Sequence, residues 1–146
     1  MKTYKLNDLN NPLISVLMPA YNAEKYIKEA IESILNQTFS NFEFIIIDDG
    51  SIDATEEIIK SFKDSRIVYI KNEKNLGLIK TLNKGISIAR GEFIARMDSD
   101  DISMPQRFEL QLDVFKKYKG VDIVNVALKK MSEDGTKLSK YRHNIY

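Results

Sequence analysis

The sequence contains no cysteine, which removes both a disulfide framework and a thiolate metal site and fits a reducing compartment. Its single histidine, His143, stands in a polar tail and reads as a surface residue, so an imidazole-based metal centre is a poor description. Charge of one sign is also lacking. The 22 basic and 21 acidic residues leave a net charge of +1, so no global field draws the chain to nucleic acid or to an anionic membrane, and any anion must be bound locally. No apolar run approaches the roughly 18 residues of a membrane span. Residues 1–5 lead into polar sequence instead of a signal-peptide core, and the chain is read as cytoplasmic with no transmembrane segment. No G-x-G-x-x-G follows the first apolar segment, which argues against a dinucleotide-binding oxidoreductase.

What is present is a regular alternation. The 146 residues suit one domain that buries about 70% of its unfolded surface. After a polar, Asn-rich arm over residues 1–12, residues 14–18 read as a buried strand stopped by Pro19. Asn22 is expected to cap a helix whose apolar stripe is Tyr26, Ile27, Ala30, Ile31, Ile34 and Leu35. Residues 42–47 form a near-continuous apolar run, the mark of a strand covered on both faces, and Asp53 with Glu56 reads as a capping box for the next helix. A third strand over 66–70 precedes a helix marked by Leu78, Ile79, Leu82, Ile86 and Ala89. Gly91 is expected as its left-handed cap, and Gly85 as a point of close packing on the sheet. A buried fourth strand over 92–97, a helix opened by Pro105 and a fifth strand over 121–126 follow, then a turn at Glu133-Asp134-Gly135-Thr136.

Strands alternating with helices imply an α/β fold, a mostly parallel twisted sheet flanked by helices, with ligands in the crevice at the carboxyl ends of the strands. Three polar clusters fall on that rim: Pro19-Ala20-Tyr21-Asn22, Asp48-Asp49-Gly50-Ser51 and Asp98-Ser99-Asp100-Asp101. Two carboxylates about 4 Å apart repel by roughly 4 kcal/mol at an effective dielectric near 20, so the last cluster calls for a cation or for hydrogen-bond donors. Oxygen ligands without His or Cys nearby favour Mg2+ or Mn2+. Two plainer readings stand beside this. The acids can cap the following helices, and Tyr21 can shield the core at a strand end.

The motifs at 14–22, Ser33-Ile34-Leu35-Asn36-Gln37-Thr38, Ile46-Ile47-Asp48-Asp49-Gly50-Ser51, Asn75-Leu76-Gly77 and Ala95-Arg96-Met97-Asp98-Ser99-Asp100-Asp101 resemble, in order and spacing, the family 2 glycosyltransferases. These are inverting enzymes of the GT-A, Rossmann-like nucleotide-diphospho-sugar transferase fold. The run from Asp98 through Pro105, Arg107 and Gln111 is similar to members that build bacterial surface polysaccharides. The resemblance implies a nucleotide-sugar donor, above all a UDP-sugar, a Mn2+ or Mg2+ cofactor, and a glycan or lipid-linked acceptor. It also implies peripheral association with the inner face of the cell membrane through partners or further regions. By the same resemblance Pro19, Ala20 and Tyr21 line the base and ribose pocket, and Asp49 accepts a hydrogen bond from the base. Asp98 holds the ribose, Asp100 ligates the metal, and Asp101 and Arg107 lie near the sugar or behind the acidic loop. Changing Asp49 to Asn is then expected to weaken the nucleotide and leave the fold intact.

The chain departs from the family in one respect: Thr81-Leu82-Asn83 stands where many members carry Ala-Arg-Asn, so an arginine is missing, and Lys74, Lys80 or Arg96 is left to contact phosphate. No general base is evident, and it is expected beyond Tyr146. The expected organisation is thus an arm (1–12), a donor-binding domain (13–130) and the start of an incomplete acceptor-side region (131–146). A non-catalytic nucleotide-binding module is the alternative. A Mg2+-dependent phospho-acceptor signalling domain fits less well, because it needs an acidic pair after the first strand, where Pro19-Ala20-Tyr21-Asn22 stands.

Overall fold

The computed structural model describes residues 11–127, 129–132 and 137–140. Most of the expected arm, the 133–136 turn and His143 lie outside the described residues. Ten elements follow in order: β1 (Ile14–Ala20), α1 (Ile27–Leu35), β2 (Phe42–Asp48), α2 (Thr55–Ser61), β3 (Ile67–Lys71), α3 (Leu78–Ile88), β4 (Phe93–Arg96), α4 (Arg107–Lys117), β5 (Lys129–Met131) and β6 (Lys137–Lys140). Residues group into two compact units, Met1–Phe108 and Glu109–Tyr146.

In the first unit β1 to β4 form one parallel sheet in the order β3-β2-β1-β4. Every residue of β2 is buried, as its unbroken apolar run requires. Leu17, Ile45 and Ile47 pack with Val68, Ile70, Leu82 and Ala89, and each fully buried side chain of this size contributes about 1.5–3 kcal/mol. Phe108, at the start of α4, meets Phe42 edge to face with ring centroids 5.6 Å apart.

Several local expectations are corrected. β1 runs through Pro19 to Ala20. The Leu17 carbonyl, which accepts from Met97 N, is the last of β1 to bond β4, and by strand alternation Pro19's missing N–H points to that same side, beyond the ladder's end. β4 is an edge strand and not a buried one: Ile94 is 47% exposed, and among the described residues no strand pairs its outer side. Helix α3 is turned so that Thr81 and Gly85 face inward, while Leu78, Ile79 and Ile86 are exposed. Gly85 permits this close approach, since a Cβ there would lie 3.2 Å from Ile47 Cδ1 and 3.3 Å from Leu17 Cδ2. Gly91 is not a left-handed cap. It passes so close to β1 that a Cβ would sit 2.5 Å from Ser15 N, and its N–H donates to Ser15 Oγ.

In the second unit, the strand expected over 121–126 does not form. The segment is irregular and Ile123 is 79% exposed. Asp122 and Asn125 interrupt its apolar pattern, and it has no ladder partner among the described residues. Gln111 Nε2 donates to the Val124 carbonyl at 3.0 Å. β5 and β6 pair antiparallel, the extended segments expected on either side of the 133–136 turn. Among the described residues no helix is long and apolar enough to cross a membrane.

Candidate functional site

The carboxyl ends of β1, β2 and β4 open onto one cleft of about 560 Å³. Of the residues singled out from sequence, Pro19, Ala20, Tyr21, Asp49, Asp98 and Asp100 all line it, while Asp101 and Arg107 do not.

One wall is built by two interlocked loops. Asn22 does not cap α1. It takes a left-handed conformation (φ 48°), and its Oδ1 accepts from Ile52 N at 3.1 Å. Glu24 Oε2 accepts from Ala54 N. In return Ser51 Oγ accepts from Asn22 N, Thr55 Oγ1 from Ala23 N and Asp53 Oδ2 from Glu24 N. Each loop thereby satisfies backbone N–H groups in the segment that leads into the other's helix. The expected capping box does not form: Ala54 is the N-cap of α2 with no side-chain cap bond, Asp53 Oδ1 accepts from Thr55 N just ahead of it, and Glu56 binds Lys60 and Lys71, which hold its carboxyl down at about 2. Asp48 is structural, being fully buried, with Oδ1 accepting from Ser51 N and Oδ2 from the Tyr69 hydroxyl.

Asp49 is the centre of this wall. Only 4% exposed, it accepts from Asn72 Nδ2 (2.8 Å) and Leu76 N (2.9 Å) on Oδ1 and from Gly77 N (2.9 Å) on Oδ2. Burial alone would raise its pKa. The donors from Leu76, Asn72, Thr81 and Gly77 outweigh burial and hold it below the ordinary aspartate value. Asn72 is itself buried, with its Nδ2 also donating to Thr81 Oγ1 and its Oδ1 accepting from Lys84 Nζ at 2.7 Å. Gly50 lets the β2 loop press onto the next one, for its φ is 77° and a Cβ would lie 2.7 Å from the Lys74 carbonyl carbon. Asp49→Asn therefore does change protein contacts: an amide keeps one acceptor oxygen, but its NH2 must face either Gly77 N or the Asn72 and Leu76 donors. Asn72 was not singled out from sequence. The available signal was a polar residue directly after β3, on the same rim as the other clusters.

The facing wall is acidic and open. Asp98, 42% exposed at its side chain, receives Arg96 Nε at 3.0 Å and Nη2 at 2.8 Å. Asp100 is exposed and makes no hydrogen bond or ion pair among the described residues. Asp101 has its pKa raised by desolvation and then by the charges of Asp100 and Asp98, with Arg107 and Arg96 offsetting part of this. Arg107 braces the loop: Nη2 donates to the Arg96 carbonyl at 2.8 Å, Nη1 lies 3.5 Å from Met97 Sδ, and burial lowers its own pKa. This oxygen-only, under-compensated set fits a hard divalent cation. Among the described residues no three acidic or His side chains converge on one point, so such a cation would take most of its ligands from a bound phosphate and water.

The family model for glycosyl transferase family 2 matches residues 15–145. An uncharacterized glycosyltransferase of Methanocaldococcus jannaschii is 42% identical over 145 residues, covering 97% of this chain and 50% of that protein. The Escherichia coli UDP-Glc:alpha-D-GlcNAc-diphosphoundecaprenol beta-1,3-glucosyltransferase WfgD is 37% identical over 123 residues, covering 80% of this chain and 49% of the enzyme. Among solved structures, S. aureus TarS 1–349 in complex with UDP-GlcNAc superposes with a TM-score of 0.68 at 26% identity, covering 82% of this chain and 39% of that one. The chain thus spans about half the length of these two curated relatives. With a mostly parallel sheet, a shared rim and motifs matched from β1 onward, it belongs to glycosyl transferase family 2.

Proposed function

We propose that the cleft is the donor site of an inverting glycosyltransferase that takes a nucleotide sugar, a UDP-sugar in the first instance. The observation that carries this reading is the pairing of a buried, donor-fixed carboxylate, Asp49, with the exposed carboxylates Asp98 and Asp100 across one cleft. Asp49 Oδ2 accepts from Gly77 N at 2.9 Å, and a carboxylate oxygen with two lone pairs has room for a base N–H as well. Tyr21, with Pro19 and Ala20, offers the flat surface for base and ribose, and Asp98 is suited to the ribose hydroxyls. Asp100, with no other partner among the described residues, would ligate Mn2+ or Mg2+. That cation supplies Lewis-acid stabilisation of the charge on the departing diphosphate. Asp101 and Arg107 set the position of this loop. The UDP-GlcNAc complex of TarS supports the nucleotide class, and WfgD's diphosphoundecaprenol-linked substrate supports a lipid-linked acceptor.

Titration calorimetry with UDP tests the reading. UDP is expected to bind with Mn2+ present and more weakly with a chelator. No binding in either condition would overturn the donor-site reading, and equal affinity in both would remove Asp100 as a metal ligand.

A further inference from the structure

Among the described residues, a diphosphate entering this cleft meets three carboxylates, Asp49, Asp98 and Asp100, and one cationic side chain, Arg96. The other two candidates for phosphate contact do not line it: Lys80 projects from α3 as an exposed residue, and Lys74 packs its backbone under Gly50. We propose that Arg96 is the residue that receives the donor's diphosphate, doing the work of the arginine this chain lacks in α3. The inference rests on the nucleotide-sugar reading of the cleft.

The geometry is specific. Arg96 ends β4, and its carbonyl is fixed by Arg107 Nη2. Its guanidinium binds Asp98 through Nε and Nη2, while Nη1 has no partner among the described residues. A guanidinium is a planar fork, so an edge held by one carboxylate fixes the direction of the remaining N–H groups, and on a side chain that lines the cleft these are suited to phosphate oxygens. More than half of the side chain is exposed, so the Asp98 pair is screened and costs little to loosen if both edges turn toward the ligand. Arg96 then links two parts of one donor, orienting Asp98 for the ribose and presenting Nη1 to the phosphates.

Comparison of UDP with uridine isolates this contact. Affinities are measured with Mg2+ present for the wild-type protein, Arg96→Gln, Arg96→Lys and, as a control, Lys80→Gln. Arg96→Gln is expected to weaken UDP about 10- to 100-fold, the range of a lost charged hydrogen bond, while uridine changes by less than about threefold and shows that the cleft is intact. Arg96→Lys should recover part of the loss, since charge is restored without the fork. Unchanged UDP affinity in Arg96→Gln, an equal loss for UDP and uridine, or a loss in Lys80→Gln as large as that in Arg96→Gln would overturn the assignment while leaving the donor-site reading standing. A wild-type protein that binds neither ligand would overturn both.

Discussion

The two walls of the cleft solve opposite problems. On the β2 side the carboxylate that lines the cleft, Asp49, is buried and satisfied by an amide and two backbone N–H groups, so its charge is answered by the protein. On the β4 side three carboxylates crowd an exposed loop with one bidentate arginine between them, and Asp101 shows the imbalance in its raised pKa. The first wall is complete before any ligand arrives. The second is stable only because water screens it, and a cation or a ligand's own donors would complete it. Rigid hydrogen-bond recognition and charge-driven recognition are thus separated in space, as the two ends of a nucleoside diphosphate would require.

The contrast is broken most strongly at Asp49. Asp49→Asn should leave N–H groups facing N–H groups and cost about 2–3 kcal/mol, lowering the melting temperature by about 10 °C. A thermal melt that matches the wild type would mean that the Leu76 and Gly77 bonds contribute nothing. Asp100→Asn should do the reverse, leaving the melt unchanged and removing about tenfold or more of the UDP affinity that Mn2+ adds. Calorimetry with and without chelator reads it, and a variant that keeps its full response to Mn2+ would place the cation elsewhere.

The smallest effect is one of sign. Asp49's folded pKa lies below its unfolded value, so the stability it contributes is present above the unfolded carboxylate range and is lost as pH falls through the folded value. Asp101's lies above, so its contribution is present in acid and is lost as pH rises through the folded value. Asp101→Asn should therefore stabilise the protein near neutrality by less than about 1 kcal/mol, with the gain vanishing below about pH 4. Urea titrations across that range check it, and a gain that persists in acid would assign the effect to packing.

Strands β1 to β4 were legible because each is an apolar run bounded by turn residues, and the rim followed from their parallel order. The place of Gly85 was legible too, since glycine inside a helical pattern needs a reason. What sequence hid was set by partners distant in the chain. Asn22 reads as a cap until Ile52 is placed beside it, and Gly91 reads as a helix stop until Ser15 is found against its Cα. The 121–126 run has the composition of a strand, but pairing, not composition, makes one. At the site, motif residues were found because they stand at strand ends. Asn72 and the choice of Arg96 over two lysines depended on which side chains share the cleft, and periodicity carries no information about that.

The interlocked loops at the ends of β1 and β2 also bear on how the strands find their alignment. Parallel strands joined through a helix have no tight turn to set which residue faces which, and an apolar run like β2 would tolerate several offsets. The loop bonds from Asn22, Ala23 and Glu24 to Ser51, Ile52, Asp53, Ala54 and Thr55 form only when Ala20 stands opposite Asp48. A slip of one residue displaces the partners by about 3.3 Å and breaks them together. The wall that would hold the base is therefore also a latch that rejects misaligned sheets, and the amide protons of Asn22, Ala23, Glu24, Ile52 and Ala54 should exchange with solvent as one cooperative group.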